Sequence, residues 1–183
     1  MQKFLVHTIE TAPEKSKPAL EGLKNALGFI PNTAATMAGS PTLINSFVGG
    51  FGNFHGSGLN EIEKQTVLLT NAVTYRCVWT TAFHSTLALR AGVSVADVAA
   101  IREGRAPQDP RLAALSRLAK QLIEKKGHAA ESAIDHFVAA GYSPQQVLDV
   151  IAGVALSTMA AFTANIADPP LEERFAPQAW KAA

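Results

Sequence analysis

The stretch Asn71-Ala72-Val73-Thr74-Tyr75-Arg76-Cys77-Val78-Trp79-Thr80-Thr81-Ala82-Phe83-His84 joins two helical patterns, and its reading decides the fold. Before it, Asn60 and Glu63 stand at capping-box spacing, and Leu68, Leu69, Ala72 and Val73 recur at the period of a helix. Within it, a second pattern begins near Cys77 and continues to Arg90. Gly92 follows, the residue type best able to take the left-handed conformation that closes a helix.

Working toward the amino terminus, Ser40-Pro41 reads as a cap followed by proline at the first helical position. The helix it opens is expected to dissolve at Gly49-Gly50-Phe51-Gly52-Asn53-Phe54-His55-Gly56-Ser57-Gly58, a turn or loosened end. Asn32 can cap a short helix over Thr33 to Ala38. Pro13 opens an earlier helix in which Leu20, Leu23, Ala26 and Leu27 face one way and Gly28 marks the stop. Toward the carboxyl terminus, Ser94 caps a short helix ending before Gly104. Asp109-Pro110 caps another, with Leu112, Leu115, Leu118 and Leu122 inward and Gly127 beyond. Ser132 to Ala140 is a short helix, and Ser143-Pro144 opens a long one to about Ala167, stopped by Asp168-Pro169-Pro170. Strand signals are nearly absent. The expectation is an all-α, single-domain helical bundle over 1–183 with about eight helices, a core of about 13–168 and an extended C-terminal arm at 169–183.

Composition narrows the function classes. Of 183 residues 48% are hydrophobic and 17% charged, enough apolar surface for a buried core and too little charge for a disordered chain. A net charge of +1 with no Lys/Arg run leaves no electrostatic footprint for nucleic acid or an anionic membrane surface. Cys77 stands alone, so no intrachain disulfide forms. Met1 to Glu10 lacks the apolar run of a signal peptide, and a cytoplasmic location is expected. Val150 to Ala167 is charge-free for eighteen residues, the lower edge of a membrane span. Its many small residues and Asn165 fit a buried central helix better than lipid. With so little charge, some apolar helix surface is expected to be covered by further copies, making a homo-oligomer.

One cluster has chemically useful residue types at useful spacing: Gln65, Cys77, Trp79, Thr80 and His84. Seven residues are two helical turns, so Cys77 and His84 share a face, with Thr80 between them. A cysteine in the first turn of a helix meets unpaired N–H groups and the positive dipole end, which favour thiolate. About 10 Å of helix rise nevertheless separates it from His84, too far for a direct Cys/His dyad. His7, His55, His128 and His136 lack any metal-ligand spacing, and the glycines at 49–58 match no phosphate-binding loop, so neither a metal nor a nucleotide cofactor is expected.

The 71–84 stretch, with Ala88 and Ala91-Gly92-Val93-Ser94, resembles the carboxymuconolactone decarboxylase and alkylhydroperoxidase D-like family. Gly28-Phe29-Ile30-Pro31-Asn32 with Ser40-Pro41, and Phe162-Thr163-Ala164-Asn165 with Asp168-Pro169-Pro170-Leu171, resemble its peroxidase-related branch. The resemblance implies an all-helical, oligomeric fold and, in redox-active members, a Glu, a CxxC pair and a His that reduce peroxides as antioxidant enzymes or relay disulfides. In this comparison the first cysteine falls on Cys77 and the histidine on His84. The second cysteine falls on Thr80 and the glutamate on Gln65. Threonine replaces neither a nucleophilic thiol nor a disulfide partner, and an amide has no titratable proton.

Three readings follow for the site. A single-cysteine peroxidase, an oxidoreductase, would cycle Cys77 through sulfenic acid and an outside thiol. A decarboxylase-like enzyme would use His84 on a small carboxylated or lactone substrate without a cysteine. A non-catalytic helical oligomer would bind a small apolar ligand. Cys77 is open between inert core, reactive thiol and pocket residue, and His84 between a pocket role and a structural one. Trp79 and Phe83 are expected in pocket or interface packing.

Overall fold

A computed structural model describes residues 3–182; Met1, Gln2 and Ala183, the ends of the expected 1–183 domain, lie outside the described residues. The described residues form nine α-helices and two short 3-10 segments, without a strand. They are α1 (Lys17–Leu27), α2 (Asn32–Met37), α3 (Pro41–His55), α4 (Glu61–Thr74), α5 (Val78–Ala91), α6 (Val95–Arg102), α7 (Pro110–Glu124), α8 (Glu131–Ala139) and α9 (Pro144–Ala167). The chain is therefore all-α, and the capping chemistry read from the sequence sits where it is needed. Asn60 and Glu63 close a reciprocal capping box on α4, as Ser143 and Gln146 do on α9. Gly28 and Gly92 end α1 and α5 at φ +78° and +100°, where a Cβ would be strained.

Helix α4 is the hub. Every residue from Glu63 to Ala72 is buried, because α5, α6, α7 and α9 pack around it. Its carboxyl end forms a Schellman motif. Tyr75 caps the helix, Arg76 takes the left-handed conformation at φ +53°, Arg76 N–H donates to the Val73 carbonyl and Cys77 N–H to the Ala72 carbonyl. Cys77 is thus the last residue of one helix end and the N-cap of α5 at once. The tight reversal lays α5 back along α4, the juxtaposition that sets Gln65 beside His84.

Three expectations are corrected. The glycines at 49, 50 and 52 do not end the third helix, which continues to His55. The face carrying Gly50 lies against Leu156 and Met159 of α9, and tertiary packing outweighs poor helix propensity there. Asn32 is the first residue of α2 and not its cap; its side-chain amide donates to the Pro170 carbonyl instead. The segment after Pro170 is not extended throughout. Glu173–Gln178 winds into a 3-10 helix on α5, because Phe175, 1% exposed, inserts among Phe29, Trp79 and Phe83.

Helix α9 is long and apolar enough by composition to cross a membrane. Here it packs on α2, α3, α4, α5 and α7 through a stripe that includes Val150, Gly153, Leu156, Ser157, Ala160, Ala161 and Ala164. Asn165 near its end donates to the Tyr75 carbonyl, tying α9 to the α4–α5 reversal.

Candidate functional site

The site grows out of the first two turns of α5 and the facing side of α4. Trp79, Thr80, Phe83 and His84 line a small cavity of about 50 Å³ whose other walls include Leu27, Phe47, Phe51, Leu68 and Leu156. His84, Phe83, Leu27 and Phe51 also border a second cavity of about 310 Å³, whose rim carries His55, Glu61, Gln65 and Arg90. His84 therefore stands at the junction of an apolar inner chamber and a more polar outer one.

Its imidazole is held from one side. Nδ1 lies 3.2 Å from Oε1 of Gln65, and Nε2 of that amide donates to Oε1 of Glu61 at 2.8 Å. The other Glu61 oxygen lies 3.9 Å from Nδ1 of His55. Burial, helped by the nearby His55, pushes the His84 pKa down to about 3, so the ring is neutral at physiological pH. Burial also lowers the His55 pKa, against the opposing pull of Glu61.

Cys77 is placed differently. Its residue is fully buried, packed with Trp79, Ala82, Ala161, Ala164 and Phe175, and it does not line the inner cavity. Burial raises the thiol pKa and outweighs hydrogen bonding from Thr80 and Trp79, which lowers it. The thiolate favoured by position at the helix terminus is thus corrected by desolvation. Thr80, which does face the cavity, directs its hydroxyl at the Cys77 carbonyl at 3.5 Å. The sequence-derived cluster is split: Thr80, Trp79 and His84 meet in the inner chamber, Gln65 meets His84 from the outer one, and Cys77 lies behind them.

Two features were not read from the sequence. Glu61 precedes Gln65 by one helical turn, and that i, i+4 spacing was a usable signal. Glu172 had none. Its carboxylate accepts from Trp79 Nε1 at 3.1 Å and from the Asn32 backbone N–H at 2.7 Å, pinning the tail to α2 and α5 across 140 residues of chain. The Trp79 and Phe83 rings stack at 5.1 Å and Phe175 meets both edge-on, which makes one wall of the site rigid. Among the described residues, no group of three or more His, Cys, Asp or Glu side chains is arranged to hold a metal ion.

Residues 41–121 match the carboxymuconolactone decarboxylase family. Among solved structures, the chain is similar to the alkylhydroperoxidase AhpD core of an uncharacterized peroxidase-related protein from Ralstonia eutropha JMP134. That match has a TM-score of 0.82 and 16% identity, covering 94% of this chain and 93% of the other. An uncharacterized peroxidase-related protein from Silicibacter sp. TM1040 matches with a TM-score of 0.75 and 14% identity, over 95% of this chain and 94% of the other. The debrominase Bmp8, as a cysteine-to-alanine variant in complex with 2,3,4-tribromopyrrole, matches with a TM-score of 0.75 and 19% identity, over 90% and 89%. No curated protein matches the sequence.

Proposed function

From a chain that carries the carboxymuconolactone decarboxylase family segment at 41–121 on the alkylhydroperoxidase D-like fold, we propose a small-molecule site that works through His84 and not through a thiol. The observation that carries this reading is the separation of the two groups. His84 borders both chambers as a neutral imidazole, whereas Cys77 is sealed behind the helix with its thiol protonated.

Peroxide reduction needs an accessible thiolate to attack the O–O bond, then a thiol to return the sulfenic acid to its starting state. Burial of Cys77 opposes the first step. With Thr80 at the position of the second cysteine of the redox-active relatives, no neighbouring thiol serves the second. The decarboxylase-like reading meets no such obstacle. The outer cavity of about 310 Å³ takes the body of a small ring or lactone between Leu27, Phe51, Phe83 and Leu87, His84 meets its polar atom, and Arg90 on the rim suits a carboxylate. An imidazole with so low a pKa is a hydrogen-bond acceptor first. It becomes a useful base when a bound anion stabilises its protonated form. The brominated pyrrole in the Bmp8 structure supports the general point that this fold accommodates a small ring.

The test is a comparison of two variants. Titration with pyrrole-2-carboxylate, a small ring carboxylate that carries an N–H donor, is expected to shift amide signals of Thr80, Phe83 and His84 in the intact chain and in Cys77→Ala alike, and to lose most of its affinity in His84→Phe. Turnover of hydrogen peroxide with dithiothreitol, abolished by Cys77→Ser, would overturn the reading.

A further inference from the structure

The hydrogen bonds behind His84 have a direction, and it is imposed from the outer end. Glu61 as a carboxylate can only accept, so Gln65 must turn its NH2 group toward it. That rotation leaves the Gln65 carbonyl oxygen facing His84 Nδ1, and a carbonyl can also only accept. In a neutral imidazole one nitrogen carries hydrogen and the other a lone pair. The hydrogen must therefore sit on Nδ1. No protein group among the described residues bonds Nε2, and the ring borders both the inner and the outer cavity. A second polar group there is also unsatisfied. Thr33, 2% exposed, lines the inner chamber, and its Oγ1 has no partner among the described residues.

We propose that Glu61 is a positioning residue which, through Gln65, holds His84 in the Nδ1–H tautomer, so that the cavity presents Nε2 as a bare acceptor and selects small apolar ligands bearing an O–H or N–H donor. The ligand class rests on the small-molecule reading of the preceding section; the role of Glu61 does not. Glu61 is half-exposed at the start of α4, outside the Asn60–Glu63 capping box, so replacing it leaves the helix cap intact. Its influence on the His84 ring is through one intervening amide.

The experiment uses the full chain with 15N-labelled histidine and reads the His84 ring nitrogens by long-range 1H–15N correlation at pH 7. The expected spectrum has a protonated, pyrrole-type Nδ1 and a bare, pyridine-type Nε2. Glu61→Ala frees Gln65 to present either face and is expected to give a mixture of tautomers, with thermal unfolding little changed. A wild-type ring protonated on Nε2, or a Glu61→Ala spectrum identical to wild type, would overturn the assignment.

The ligand arm compares phenol with anisole, the same ring without the donor. Leaving a buried acceptor unpaired should weaken anisole by about tenfold or more relative to phenol. Equal affinities would overturn donor selection. Failure of both probes to perturb His84 would instead remove the small-molecule reading, while the tautomer spectra alone decide the role of Glu61.

Discussion

Cys77 is fully buried and His84 part-buried, desolvation disfavours the charged form of each, and the consequences run in opposite directions. For the thiol, burial raises the pKa and removes the reactive species, so modification of the folded protein by iodoacetamide is expected to be at least tenfold slower than that of the unfolded chain. Mass spectrometry of timed samples checks this, and rapid native labelling would contradict it. For the imidazole, the folded pKa of about 3 lies below the value near 6.5 of an unfolded histidine. Between those values the unfolded state binds a proton that the folded state refuses, so stability falls as pH drops from about 6.5 toward 3. His84→Phe should show a shallower acid dependence of its urea midpoint than wild type. His55, shifted the same way by burial, remains in both proteins and does not mask the difference.

At the scale of elements, the first turn of α5 and the middle of α9 each have one position whose neighbours define what is tolerated. Thr80 is three residues after the N-cap Cys77, the relation in which paired cysteines at a helix start can close. Thr80→Cys is therefore expected to lose two free thiols on mild oxidation, counted with Ellman's reagent after unfolding in denaturant, and two persistent thiols would argue against the helix start at Val78. Gly153 lies where α9 crosses α3 and α4. A Cβ there would stand 2.8 Å from Cε2 of Phe54 and 3.0 Å from Cγ1 of Val67. Both side chains are fully buried and have no room to withdraw. Gly153→Ala should destabilise the protein by about 1–3 kcal/mol in urea unfolding, even though alanine is the better helix former by about 1 kcal/mol.

Among the described residues of the whole molecule, the outer side of α9 is an uncovered apolar face. Leu148, Ile151, Phe162 and Ile166 are exposed along the outer side of α9, and Phe4 and Leu5 add to the same kind of surface near its carboxyl end. A cavity of about 700 Å³ bordered by Phe4, Leu5, Phe162 and Ile166 lies there. Surface of this kind is expected to be covered by a second copy of the chain, giving a homo-oligomer. Sedimentation velocity across a dilution series checks the expectation, with Ile166→Glu shifting the population toward a 19.3 kDa monomer. A wild-type monomer at every concentration would refute it.

The helices were legible along the chain, because caps, stops and the apolar period are local signals. Ser40-Pro41, Asn60 with Glu63, Ser143-Pro144 and the glycines at 28 and 92 each act within a turn of the residues they govern. Local signals failed where a distant partner outweighed them, as when α9 held the glycine-rich end of α3 in a helix and Phe175 wound the tail onto α5. For the site, the chemistry-bearing residues were legible by spacing along α5, but their roles were not. Shared helix face put Cys77, Thr80 and His84 together; only packing by α9 and the returning tail sealed the thiol in while leaving His84 at a cavity. The direction of the Glu61–Gln65–His84 hydrogen bonds likewise required the antiparallel return of α5 onto α4. Desolvation and hydrogen-bond direction depend on what surrounds an atom in space, and those surroundings come from segments as much as 140 residues apart in the chain.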